Sequence, residues 1–246
     1  VIVSARPWSS LIAQSLADRL ASAPDGRVRL SFTAKPGVCG DGRNINTWRS
    51  GEWRSDEWES WCEPGPVRVV LTVRSRRVID LDTYVGGRWR ATARPPADLG
   101  MVSAAEAANY FMSLAATESG KVSKEAILPA VLADSAVVWP RLLAIGRDPA
   151  RPRDTRKSAV FWVGQAASES VAADLADIAT DTGDIEVREH AVFALSQLRH
   201  DAGVPALVEI ARTHKDRRIR KKAIFWLGQS EDPRALALFE ELLTRR

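Results

Sequence analysis

Histidine, cysteine and methionine are scarce in this chain of 246 residues: three, two and two. Two cysteines are too few for a structural zinc site, which draws four nitrogen or sulfur ligands at short spacings. His190, His200 and His214 have no Cys or Ser nucleophile placed to use them, and a lone helical histidine is commonly a surface or packing residue. No phosphate-binding Gly-x-x-x-x-Gly-Lys loop, Gly-x-Gly-x-x-Gly fingerprint, Gly-x-Ser-x-Gly elbow or His-Glu-x-x-His pair occurs. Neither an enzyme nor a bound cofactor or metal is expected. Asp41, Asn44 and Asn46 lack the spacing and closing Glu of a calcium loop, so Gly40-Asp41-Gly42 reads as a turn. No apolar run approaches the roughly eighteen residues that span a bilayer. A one-sided charge is missing too: 35 Lys and Arg against 31 Asp and Glu leave +4, too mild by itself to point to nucleic acid. What the chain does have is 45% hydrophobic and 27% charged residues, enough to bury a core in one large or two small domains. It opens on Val1 rather than Met, leaving room for a signal peptide or anchor upstream.

Internal repetition is the strongest positive signal. Arg156–Gln165, Arg188–Gln197 and Arg220–Gln229 align without gaps at a step of 32 residues, with Arg, Ala, Phe and Gln at identical offsets. Each copy reads as a helix pair. The first helices carry the apolar runs Ala159–Val163, Ala191–Leu195 and Ala223–Leu227, too continuous for one helical face. They are expected to be buried nearly all round, with Phe193 in the core. The second helices keep the same step at Leu175, Leu207 and Phe239, and Asp184, Asp216 and Asp232 suit N-caps. Gln165, Gln197 and Gln229 are expected to satisfy backbone groups at the helix ends, and Trp162, Ala194 and Trp226 to pack large-small-large. Ile127–Arg147 resembles a degenerate, capping copy.

The phrases Val187–Leu198, Gly203–Arg212 and Ile219–Leu236 resemble the short HEAT-like repeats of bacterial proteins. Similar repeats occur in phycobilisome-lyase-type proteins and in bacterial envelope proteins that contain HEAT repeats. The resemblance covers roughly residues 123–246. It implies an all-α solenoid and a curved protein-binding scaffold.

Residues 1–92 have another texture. Ile12, Leu16 and Leu20 mark a short helix over 9–21; Val28–Phe32, Val67–Val73 and Ile79–Val85 alternate as strands. Arg74–Arg77 reads as a hairpin turn. The expected fold is therefore an α+β module, a small antiparallel sheet with one helix, over 1–92. A linker follows at 93–102, then a helical repeat domain of about four repeats over 103–246, opened by a Ser103–Glu106 capping box. The polar insertion from Gly37 to Pro66 holds Trp48, Trp53, Trp58 and Trp61 and is bracketed by Cys39 and Cys62. A disulfide between them would stabilise the fold by about 3 kcal/mol on a chain-entropy estimate and place the protein in an oxidising, periplasmic or otherwise extracytoplasmic compartment.

Charge is segregated along the repeats. Acids dominate from Glu169 to Glu189 and bases from Arg212 to Lys222, so neighbouring repeats are expected to present opposite signs. Complementary potentials of this kind orient a protein partner, whereas the acidic block disfavours nucleic acid. The last helix carries more leucines than one face can bury. The partner-binding candidates are thus Trp48, Trp53, Trp58 and Trp61 as rigid anchors, Arg217, Arg218 and Lys221, and Leu236 and Phe239 at the end of the array. These point to a non-enzymatic adaptor, membrane-peripheral, docked on a larger bacterial membrane complex. By analogy, extrinsic subunits of redox or photosynthetic complexes fit. The competing readings are a cofactor- or chromophore-handling lyase-type protein and an anion or nucleic-acid binder through residues 212–222.

Overall fold

A computed structural model describes residues 14–47, 62–166, 171–181 and 183–244. Its first part is a four-stranded sheet of order β6-β5-β1-β7, built from β1 (Gly26–Phe32), β5 (Val67–Arg74), β6 (Arg77–Val85) and β7 (Ala97–Met101). Alternation sets its faces: Val28, Leu30 and Phe32 of β1 and Val67, Val69, Leu71 and Val73 of β5 are buried on one side. Residues Arg74–Arg77 turn the β5–β6 hairpin with Ser75 and Arg76 both at positive φ, the geometry that matches strand twist. Ile79 departs from the expected inward position and is 43% exposed, because a bulge opposite Thr72 and Val73 turns Val78 inward instead.

The described ends of the insertion form a second small sheet, β3 (Ile45–Asn46), β2 (Cys39–Gly40) and β4 (Glu63–Pro64). Cys39 and Cys62 are disulfide-bonded with Cα atoms 5.2 Å apart. The Asp41 amide donates to Asn44 O at 3.2 Å, closing the β2–β3 turn. Trp48, Trp53, Trp58 and Trp61 lie outside the described residues.

Four expectations are corrected here. Residues 97–101, expected within a linker, form the edge strand β7 and pair parallel to β1, so the sheet is mixed rather than antiparallel. Nor is α1 (Leu16–Ala21) the sheet's only helix. Phe111 of α2 (Ala104–Thr117) meets Phe32 at 6.1 Å between ring centroids, and α3 (Gly120–Glu125) lies on β6. The expected degenerate repeat over 127–147 divides between two packing partners. Its α4 (Ile127–Leu132) packs on α2 and β5, tied down by Lys35 N–H to Leu132 O at 2.8 Å, while α5 (Trp139–Arg147) packs on the next helix, α6 (Arg153–Ala166). Sheet and helices therefore share one continuous core.

Beyond α5 come three helix pairs: α6 (Arg153–Ala166) with α7 (Ala172–Asp181), α8 (Ile185–Ser196) with α9 (Val204–Thr213), and α10 (Arg217–Leu227) with α11 (Pro233–Thr244). Asp184, Asp216 and Asp232 accept from the backbone N–H two residues on, at 3.0, 2.8 and 2.8 Å, as N-caps do. No described helix is long and apolar enough to cross a membrane.

Candidate functional site

The repeated phenylalanine is not a core residue. Five consecutive helical residues sweep more than a full turn, so one of each apolar run must point away from the core. In α8 the buried positions are Val187, Ala191, Val192, Ala194 and Leu195. Phe193 lies about 200° around the helix from Ala191, on the face it shares with Glu186, Glu189 and Gln197. Phe161 and Phe193 are only half-buried, and Phe225 is 55% exposed. The expectation of nearly full burial at Phe193 is overturned by this geometry.

What the three copies build instead is a row of rings across α6, α8 and α10. Phe161 stacks on Phe193 at 6.1 Å with 11° between planes, and Phe193 meets Trp226 at 4.9 Å. Trp162 and Phe225 pack edge-on at the two ends, 5.1 Å from Phe161 and 5.0 Å from Trp226. Ala194 lies between the tryptophan positions and is fully buried. A Cβ on Gly164 would sit 3.1 Å from its Cβ, so small residues let α6 and α8 approach closely enough for the rings to meet. Gln197 Nε2 donates to Ser196 Oγ at 3.2 Å rather than to the backbone.

Charged side chains border the rings and pair between repeats, although only Glu189 with Arg218 joins the acidic block seen in sequence to the basic one. Arg153 holds Asp184 at 2.7 Å and Glu186 at 2.8 Å, Lys157 holds Glu186 at 3.2 Å, and Arg188 approaches Asp216 at 3.6 Å. Arg218 grips Glu189 with both Nε and Nη2, at 2.5 and 2.8 Å. Exposed pairs of this sort contribute roughly 0–1 kcal/mol each, so they set register more than stability. The acids Asp174 and Asp177 turn instead to Arg147 of α5. Of the basic stretch, Arg212 pairs with Glu241, and Arg220 donates to the His214 and Lys215 carbonyls. Arg217, Lys221 and Lys222 make no ion pair among the described residues.

Arg217, Arg218 and Lys221 thus come together, with Lys222, around exposed Phe225 in a hollow of about 650 Å³ that Glu189 and Asp216 also line. Lys222 also reaches a second hollow, of about 440 Å³, shared with Lys157, His190, Phe193 and Trp226. Burial first, then the charges of Lys157 and Lys222, push His190 below its ordinary value of 6.5, against the opposing pull of Glu186 and Glu189. The unfolded chain therefore takes up this proton first as pH falls, and the depressed pKa removes stability as pH drops below about 6.5. An NMR titration should place the His190 midpoint below 6.5 and move it upward in Lys222→Ala; an unchanged midpoint in that variant would show that Lys222 does not act on this ring.

The end of the array is a separate apolar surface. Leu236 is 62% exposed and Leu243 84%, whereas Phe239 is half-buried against the core and does not join them. At equivalent repeat positions, Val204 and Ala211 are buried, because the succeeding helix pair covers them. Trp89 was missed in sequence: Arg29 and Arg68 lie 5.2 and 5.6 Å from its ring, a contact created only when β1 and β5 lie side by side.

Glu186 and Glu189 are both held by bases. Residues 172–246 match the family model of HEAT repeats, which generally mediate protein–protein interaction. No curated protein matches the chain.

Proposed function

We propose that the protein is a non-enzymatic scaffold that binds another protein through the ring face of α6, α8 and α10. The single observation that carries this is the placement of phenylalanine, in all three copies, at the position that points away from the core. A solvent-facing helix position has no packing need for a large aromatic, whereas rigid aromatic anchors carry most of the energy of protein interfaces. The disulfide supports an extracytoplasmic compartment. With the resemblance to envelope repeat proteins, it favours an extrinsic, membrane-peripheral subunit of a larger complex. The exposed leucines of α11 offer a second contact surface.

Affinity recovery from native membranes tests the reading. Phe193→Ala should lower stability by only about 1–2 kcal/mol, since the side chain is half-buried. It should nonetheless weaken partner recovery roughly thirty-fold, the loss that a 2 kcal/mol hot spot implies. Recovery of the same partners at the wild-type level would exclude this face as the binding surface.

A further inference from the structure

We propose that the ring face takes an acidic segment of a partner protein in extended conformation, its apolar side chains on Phe161, Phe193 and Trp226 and its carboxylates on Arg217, Lys221 and Lys222. The inference rests on the scaffold reading above and names the chemistry of the partner.

Comparison of the three copies carries the argument. The positions four and three residues before the phenylalanine are Lys157 and Ser158 in the first copy, Glu189 and His190 in the central one, and Lys221 and Lys222 in the last. In the central copy the acids are matched from both sides, Glu186 by α6 and Glu189 by α10. Within this chain, then, a base-bearing helix face meets an acid-bearing one. The surplus falls at the α10 end, where Arg217, Lys221 and Lys222 surround exposed Phe225, while the two carboxylates that also line this hollow, Glu189 and Asp216, pair with Arg218 and Arg188. An acidic partner completes the alternation.

Spacing supports an extended segment. Side chains two residues apart on a β-strand face the same way about 6.6–6.8 Å apart. Phe161 and Phe193 are 6.1 Å apart and stack nearly parallel, so alternate side chains of a strand can address these two rings, while Trp226 lies closer to Phe193, at 4.9 Å, and tilted. The charge distribution argues against a nucleic acid. A phosphodiester strand is evenly anionic, whereas here the centre is internally neutralised and the free bases cluster at one end. A peptide that is apolar along one stretch and acidic along the next matches this division.

The test uses the full chain and fluorescence anisotropy with four labelled probes. They are a ten-residue peptide with Leu and Phe at alternate positions followed by four Asp or Glu residues, the same peptide with Ser for the acids, the same with Lys, and a ten-nucleotide single-stranded DNA. The acidic peptide should bind at least tenfold tighter than the Ser version and lose affinity as salt rises. The double variant Lys221→Glu/Lys222→Glu, checked for an unchanged melting temperature, should weaken it at least tenfold and improve binding of the Lys peptide. If that variant melts early, Arg217→Glu serves in its place. Equal binding of acidic and Ser peptides overturns the acidic assignment while leaving the ring face as a docking surface. Tighter binding of the DNA overturns it in favour of a nucleic-acid surface. Binding by none of the probes also overturns it, and recovery from membranes with Phe193→Ala then still decides the scaffold reading independently.

Discussion

Phe111→Ala should cost about 3–5 kcal/mol, the range for removing a fully buried large aromatic from a core. The Phe111 ring is wholly buried, 6.1 Å from Phe32 of the sheet and 5.5 Å from Tyr110 of its own helix. It therefore joins the strand module to the first helices, which continue through α4 and α5 into the repeats. Small domains hold only about 5–15 kcal/mol in total, so the variant should stand close to its unfolding threshold. Because the core is continuous, urea unfolding followed by strand-sensitive and helix-sensitive signals should shift in parallel. A cost below about 1 kcal/mol would mean that α2 does not seat on the sheet as described. A shift confined to the strand signal would restore the division of the chain near residue 100 that its composition suggested.

The placement of residues 97–101 in a linker failed for a reason local patterns cannot supply. Ala97–Met101 has no alternation and contains Gly100, so nothing in the segment announces a strand; it becomes one because β1 leaves an edge unpaired about seventy residues earlier. The 32-residue step, the aspartate caps, the Arg74–Arg77 turn and the cysteine bracket were all legible, because each depends on residues near in sequence or repeated at fixed offsets. Ile79 was misplaced since the bulge depends on its partner strand, β5. The ring face is the instructive case. A continuous apolar run reads as core, yet a helix cannot bury every side of five successive residues equally. The outward position was readable from the company it keeps: Phe193 shares its face with Glu186, Glu189 and Gln197, and Phe225 with Arg218, Lys221 and Gln229. Charge blocks were legible as well, but which charges pair across the repeats needed the repeats to be stacked. The surplus at Arg217, Lys221 and Lys222 appears only after that subtraction.

Gly203→Ala should destabilise the protein by about 3 kcal/mol, the upper part of the range for overpacking. A Cβ there would lie 2.0 Å from the Leu195 carbonyl oxygen and 2.7 Å from its carbon, both backbone atoms that no side-chain rotation can move aside. That carbonyl already accepts the Leu198 N–H at 3.3 Å, and the chain reaches Gly203 through His200 and Asp201, both in left-handed conformation. The α8–α9 connection is thus as tight as glycine allows, and α9 must move outward to admit a methyl group. Leu195 and Leu207, buried between these helices, would lose contact, and α10, which packs on both, would shift with α9. The 4.9 Å approach of Phe193 to Trp226 spans α8 and α10, so the same change should disturb the ring face and weaken partner binding. Gly183 provides the control. It lies between α7 and α8, a Cβ there meets nothing within 4 Å, and its backbone is not left-handed. Gly183→Ala should be neutral or stabilise by up to about 1 kcal/mol through the unfolded chain. Equal melting temperatures for the two variants would show that the α8–α9 turn has slack, and that the alignment of the rings is set elsewhere.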